Sequence, residues 1–168
     1  MSEVLVKRSD KVAFYGVPGV GAGLTVYHRM TGFTDSSISK NSKEYSRQYV
    51  DEDSERTDVT GFSPSMAYGF DQYVGNPVHD DIVALSDNET LGSAAVRSII
   101  IVDLTDSTTV ETVTTYAARK RDYTVVPDSE GGSLGAYTYS GNFKSNGSTI
   151  LGTATLDATK KIVTFTAA

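Results

Sequence analysis

A mainly β chain is predicted, and three observations predict it. Val, Ile and Thr together number 45, against 11 for Leu plus Met. Branching at Cβ restricts χ1 and packs well on a pleated surface, so this ratio favours sheet over helix. Several segments alternate apolar and polar residues with a period of two, the period of a half-buried strand. The 15 Gly and 19 Ser residues supply turns and small side chains for exposed strand faces. At 168 residues and 18.0 kDa the chain suits one domain, residues 1–168, because one core serves roughly 100–200 residues.

Taken in order, residues 11–15 and 24–29 are the first expected strands. Between them runs Gly16-Val-Pro-Gly-Val-Gly-Ala-Gly23. No Lys-Ser/Thr follows it and its glycine spacing fails the dinucleotide pattern, so it reads as a bend or a long hairpin end rather than a phosphate loop. Residues 31–43 hold five Ser and Thr after Gly32, with Phe33 and Ile38 as the only large apolar side chains. They are expected to form a polar loop, long enough to be functional or to order on a partner. Residues 44–50 alternate, with Tyr45, Arg47 and Tyr49 on one face and Glu44, Ser46 and Gln48 on the other.

Residues 62–73 carry the sharpest alternation. Phe62, Pro64, Met66, Tyr68 and Phe70 share one face; Ser63, Ser65, Ala67, Gly69 and Asp71 share the other. Such a strand separates a core from a water-filled surface. One helix is expected after it. Asn76 can cap it, Pro77 suits its first position, and Asp80 and Asp81 complement the positive end of its dipole. Val78, Ile82 and Leu85 then fall on one face, with Asn88 or Gly92 as the stop.

Residues 96–104 are almost continuously apolar and are expected to be buried on both faces. A long, weakly alternating strand follows over 109–126. Residues 136–143 place Tyr137, Tyr139 and Phe143 together. Ile150–Leu156 and residues 161–166 then form a hairpin across Asp157-Ala-Thr-Lys160, with Val163 and Phe165 facing the core.

The chemistry implied by the composition is narrow. With no Cys, disulfides, thiolate zinc sites and iron–sulfur clusters are excluded. No apolar run approaches the ~20 residues that a membrane helix needs, and residues 1–10 contain no apolar stretch like a secretion signal. Only His28 and His79 could serve a nucleophilic triad. His79, beside Asp80 and Asp81, has no second His at i+4 and is expected to be a solvated helix start; His28 is expected to have a surface or packing role. Asp51-Glu-Asp-Ser-Glu-Arg-Thr-Asp58 lacks the central Gly and the terminal Glu of a calcium loop. The expectation is therefore no enzyme, no metal and no cofactor.

Charge is unevenly placed. The net is −6 overall, but residues 1–50 carry +3, residues 51–89 carry −9 and residues 90–168 balance. The acidic run is either a solvated face or a surface that meets the basic N-terminal third of another copy. Arg119-Lys-Arg121 alternates across a strand, so it does not present one three-residue phosphate patch.

Several segments together resemble a known family. They are Glu44-Tyr-Ser-Arg-Gln-Tyr-Val-Asp-Glu52, Glu55-Arg-Thr-Asp-Val-Thr-Gly-Phe-Ser-Pro-Ser65, Phe70-Asp-Gln-Tyr73, Asn76-Pro-Val-His79, Tyr139-Ser-Gly-Asn-Phe-Lys-Ser-Asn-Gly147 and Lys161-Ile-Val-Thr-Phe-Thr166. The family is the major tail, or tail tube, protein of long-tailed phages of Gram-positive bacteria. The resemblance implies two packed β-sheets, sandwich or barrel-like, with one flanking α-helix. It implies a structural virion protein, made in the host cytoplasm, whose six copies form a ring. Rings stack into a tube with other tail proteins, and double-stranded DNA passes through the lumen without specific binding. On this reading Glu44, Ser46, Gln48, Ser63, Ser65, Ala67, Gly69 and Asp71 face the lumen. Phe33, Asp35, Ile38, Lys40 and Lys43 belong to an inter-ring loop, with Asp51, Glu52, Asp53 and Glu55 as acidic partners on the next ring. The alternative is a monomeric β-sandwich binding module or capsid-decoration protein.

Overall fold

The computed structural model describes residues 2–20 and 23–168; Gly21 and Ala22, within the glycine-rich bend, lie outside the described residues. The described residues form twelve strands and one α-helix. In order these are β1 (Lys11–Val17), β2 (Val26–Arg29), β3 (Phe33–Asp35), β4 (Ile38–Ser39), β5 (Ser42–Arg47), β6 (Arg56–Phe62), β7 (Ser65–Asp71) and α1 (Pro77–Asp87). After the helix come β8 (Val96–Val110), β9 (Val113–Gly131), β10 (Thr138–Ser145), β11 (Ile150–Leu156) and β12 (Ile162–Ala167).

Ten strands belong to one sheet, in the order β11-β12-β2-β1-β8-β9-β10-β7-β3, with β4 also on β7. Strand β11 pairs back onto β9 through Ile150↔Lys120 to Ala154↔Tyr116, so β9, β11, β12, β2, β1 and β8 close a six-stranded barrel. The later half of β9 leaves the barrel and carries β10, β7, β3 and β4. Two packed β-sheets, sandwich or barrel-like, were expected; two sheets are present, but they do not form a sandwich. The large one is curled shut into a barrel at one end and open at the other, and the small one is the β5–β6 pair. The reason lies in strand length. At 15 and 19 residues, β8 and β9 are long enough to serve both parts.

Each shared strand sends alternate side chains into different cores. Phe14, Ile100 and Val102 point into the barrel with Val12, Ala118, Ala154 and Val163. Their neighbours Tyr15 and Ile99 point the other way, onto Met66, Tyr68, Phe70, Tyr123, Val125 and Phe143. Helix α1 covers this second core with Val78, Ile82 and Leu85. The two-faced burial expected of residues 96–104 holds only at its centre: Ile99, Ile100 and Val102 are each 1% exposed or less, whereas the other residues of the stretch, Ile101 among them, are half-buried. Phe165 packs at the margin of the barrel core, on the side expected.

The helix starts as its sequence requires. Asn76 accepts hydrogen bonds through Oδ1 from the backbone N–H groups of Val78 and His79, at 3.1 and 3.4 Å, and Pro77 opens the first turn. Asn88 ends the helix. His79, however, is fully buried rather than solvated. Its ring stacks on Phe70 at 4.3 Å between centroids, with Phe33 edge-on at 5.4 Å. Nδ1 accepts the Tyr73 backbone N–H at 3.1 Å, and Nε2 lies 2.7 Å from the Thr31 carbonyl. That pairing requires the neutral tautomer with its proton on Nε2. Gly32, at φ +75°, carries the chain over the ring; a Cβ there would sit 3.0 Å from His79 Cε1. Helical spacing placed His79 beside acids, but two aromatic rings and two backbone groups enclose it.

Asp81 also does more than complement the dipole. It accepts from Tyr15 Oη at 2.5 Å and from Arg97 Nε and Nη2 at 2.8 and 3.2 Å. Both charged side chains are mostly covered, at 12% and 16% exposure. Burial first, then the Asp81 charge, pushes the Tyr15 hydroxyl well above its ordinary value.

Several boundaries differ from expectation. The strand expected over 109–126 is two: β8 runs on to Val110, turns at Glu111 and Thr112, and β9 continues to Gly131. The strand expected over 44–50 spans Ser42–Arg47. Residues 31–43 are not one loop: β3 and β4 pair with β7, with Phe33 opposite Phe70 and Ile38 opposite Met66. Phe33 and Ile38 pack against the second core, which outweighs the polar composition around them. The strand expected over 62–73 spans only Ser65–Asp71; Phe62 ends β6 and is 58% exposed. Tyr137 precedes β10 and is exposed, whereas Tyr139 and Phe143 are buried as expected.

Two outcomes are expected. Burial lowers the His79 pKa, so its contribution to stability is complete above the ordinary His value of about 6.5 and is lost as pH falls through the lower folded-state value. Urea denaturation between pH 7 and 5 should show wild type losing stability that His79→Gln does not lose. Removing one partner of the buried pair leaves an uncompensated charge, so Asp81→Ala should cost about 3 kcal/mol. The double variant Asp81→Leu with Arg97→Met should recover most of that loss in the same titration.

Candidate functional site

The open part of the sheet has two unlike faces. One carries Met66, Tyr68 and Phe70 into the core; all three are 3% exposed or less. The other pairs Ser65 with Lys144, Ala67 with Asn142, Gly69 with Ser140 and Asp71 with Thr138. It continues across β9 through Thr124, Val126 and Ser129. Its polar groups largely satisfy one another, as in Ser129 Oγ to Ser140 Oγ at 2.7 Å and Asn146 Nδ2 to Thr124 Oγ1 at 3.1 Å. Four of the expected lumen residues, Ser65, Ala67, Gly69 and Asp71, therefore share one small, mostly polar face.

Ser63 does not. It lies in the turn between β6 and β7, where its carbonyl accepts from Asn41 Nδ2 at 3.0 Å. Glu44, Ser46 and Gln48 lie outside that face as well. Strands β5 and β6 pair only with each other, forming a separate two-stranded ribbon. Glu44 opposes Val59 and Ser46 opposes Thr57, whose hydroxyls meet at 2.8 Å. Gln48 follows the strand and donates to the Glu52 carbonyl at 3.1 Å.

The ribbon is almost wholly exposed. Every residue of β5, and every residue of β6 except Gly61, is exposed. Tyr45, Tyr49, Val59 and Phe62 are each about half exposed, and Val50 has no cover at all. The local bonds are few: Thr60 Oγ1 to the Lys43 carbonyl at 3.1 Å, Arg47 Nη1 to Tyr45 Oη at 2.9 Å, and Arg47 and Arg56 each 6.0 Å from the Tyr49 ring centre. A lone two-stranded ribbon with no buried face is marginal in water. Its tip carries Asp51, Glu52, Asp53 and Glu55; Glu52 pairs with Arg56 on the same ribbon.

The expected loop residues divide between core and surface. Phe33 and Ile38 are packed, and Asp35 accepts from the Ser37 backbone N–H and hydroxyl at 3.1 and 2.9 Å, holding the turn between β3 and β4. Lys43 sits at the ribbon's base. Lys40 borders a groove beside Arg119 and Arg121, residues whose two-residue spacing marked a shared face but whose pairing with Lys40 no local pattern announced. Lys120, between them, points to the opposite side and lies 5.5 Å from the Tyr27 ring centre. His28 is half-buried at the barrel wall. Among the described residues, no group of three or more His, Asp or Glu side chains converges as a metal site would.

Backbone exchange should reveal this unevenness. In the isolated subunit, amides of β5 and β6 are expected to exchange at least a hundredfold faster than those of β8 between Ile99 and Val102. Hydrogen exchange read by mass spectrometry checks it.

No family model matches the chain, and no curated protein matches it. Among solved structures, it is similar to a chain in the cryo-EM structure of the anti-feeding prophage baseplate, 6-fold symmetrised. The two are 8% identical with a TM-score of 0.48, over 90% of this chain and 97% of that one.

Proposed function

We propose that the protein is a structural subunit of a phage tail tube, self-assembling into six-membered rings that stack around a DNA passage. The unsupported β5–β6 ribbon is the observation that carries this reading. A ribbon with no cover in its own subunit acquires a stable reason to exist when a neighbouring copy buries it. Exposed Tyr45, Tyr49, Val50, Val59 and Phe62 give that contact its apolar area.

The polar sheet face supports the same reading. Its four strands, β8, β9, β10 and β7, present small uncharged residues with few charges: Asp71, Asp122 and Lys144. Six such faces set side by side would span at least roughly 115 Å round at a strand spacing of ~4.8 Å, before tilt and the gaps between subunits widen the ring. A bore of this kind does not neutralise many phosphates, so it releases few counterions on contact and lets a duplex slide. The role is structural; no catalysis and no cofactor are proposed.

Light scattering and negative-stain microscopy over a range of concentrations test it. Wild type is expected to form rings or tubes far larger than 18.0 kDa. Replacing the tip, residues 48–55, with a short Gly-Ser turn should leave the melting temperature within about 2 °C while abolishing assembly. A wild-type chain that remains at the mass of one subunit at every concentration would overturn the proposal in favour of a monomeric binding module.

A further inference from the structure

Beyond the second core, the helix side of the sheet continues uncovered into a groove between β4, β9 and the start of β11. Lys40, Arg119 and Arg121 border it over a floor of Ile99, Ile101 and Leu151, enclosing about 160 Å³. It adjoins a second hollow, of about 200 Å³, that shares Ile38, Ile101 and Arg119 and adds Arg8 and Lys11. Lys11 is matched by Asp103 at 3.3 Å. No ion pair among the described residues involves Lys40, Arg119 or Arg121. Arg121 Nε is moreover buried with no hydrogen-bond partner, an arrangement that costs free energy until an acceptor reaches it. Three cations thus share one partly apolar groove without a counter-charge.

We propose that this groove is the socket for the acidic ribbon tip of a second copy of the chain. This deepens the tube reading and rests on it. The tip offers Asp51, Asp53 and Glu55, all exposed and without an ion-pair partner among the described residues. Beside them stand Tyr49 and Val50, 48% and 109% exposed, which suit the apolar floor. A phosphate backbone has charge but no apolar group to lie against Ile101 and Leu151, so the mixed lining favours a peptide over nucleic acid. The positive charge of Arg119 lowers the Lys40 pKa, with burial and Arg121 adding to it; a docked carboxylate would relieve that repulsion.

The contact is between copies because the chain cannot make it alone. Six paired residues at ~3.3 Å each put the tip about 20 Å from the ribbon's base, and Lys40 lies two residues before that base. Socket and tip are different surfaces, so the contact is head-to-tail. Such contacts close into rings or continue as helices, depending on the rotation per step.

Charge reversal tests this. One variant carries Lys40→Glu with Arg119→Glu; the other carries Asp51→Lys, Asp53→Lys and Glu55→Lys. Each alone should need at least a tenfold higher concentration to assemble. In the socket variant tip and socket are both acidic, and in the tip variant both are basic. Mixed one to one, each tip meets an opposite socket, and assembly should return to within threefold of wild type. Recovery also shows that both variants fold. Cross-linking adds position: because the natural chain has no Cys, Asp53→Cys in one population and Lys40→Cys in another should yield a disulfide-linked dimer on mixing. Wild-type assembly without recovery in the mixture would overturn the socket and leave the tube reading standing. Tip reversal that leaves assembly unchanged, with socket reversal abolishing binding of a 20-base-pair duplex, would assign the groove to nucleic acid instead. Failure of wild type to assemble would remove the tube reading and the socket with it.

Discussion

Double-sided burial of two strands is the constraint on which the rest of the structure depends. Strands β1 and β8 form one wall of the barrel and, on their other face, belong to the second core that α1 covers; β9 passes from the barrel core at Ala118 to the second core at Tyr123 and Val125. Phe14 and Tyr15 are adjacent, both fully buried, and lie in different cores. Losing one large side chain from such a wall costs several kcal/mol, about 2–5 for a Leu or Ile truncation. The strain of the resulting cavity would be felt on both sides. Each strand therefore has little freedom to shift, because a one-residue slip would exchange the two cores. The helix, the barrel closure and the ribbon's point of departure are all fixed relative to this wall.

That wall also explains what the rest of the chain is free to do. Barrel closure leaves β9 no open edge from Tyr116 to Lys120, where β11 returns to it, whereas the other end of the large sheet, beyond β7, is open. There the edge strands are short, three residues in β3 and two in β4, and a turn anchored by Asp35 interrupts them. Short, interrupted edges resist indiscriminate pairing between chains. In the proposed tube, the surfaces that associate are the ribbon, the small-residue sheet face and the groove, each with its own chemistry. Specific assembly is easier to encode in such surfaces than in a bare sheet edge, where backbone bonds read no sequence.

Much of this architecture was legible in the sequence, and the exceptions share a cause. Alternation gave β7 its core face, Asn76-Pro77 gave the helix start, and the run at 96–104 gave the doubly buried strand, because each signal is local. Residues 31–43 were misread because two apolar side chains, Phe33 and Ile38, suffice to hold β3 and β4 when partners from β7 and α1 wait for them. His79 was misread for a similar reason. Its acidic sequence neighbours point outward or bind Arg97, while Phe70, Phe33 and the Thr31 carbonyl come from distant positions. Barrel closure was invisible too, since the β11–β9 pairing joins segments about 35 residues apart and leaves no composition signal.

The acidic bias of residues 51–89 was equally ambiguous as sequence, and the structure divides it into parts with different roles. Asp81 is spent inside the subunit on Tyr15 and Arg97, and Asp87 accepts from Tyr139 Oη at 3.2 Å. Asp71 lies on the small-residue face, opposite Thr138. The carboxylates at 51, 53 and 55 remain at the end of a ribbon whose two strands are exposed except at Gly61. Exposed charges of this kind contribute ~0–1 kcal/mol each as single pairs and are screened by salt. Their value grows when desolvated against a groove that already holds unmatched cations, and again when repeated by symmetry around a ring, where every contact raises the effective concentration of the next. The net charge of −6 is thus divided between carboxylates paired inside the subunit and carboxylates left exposed at the ribbon end.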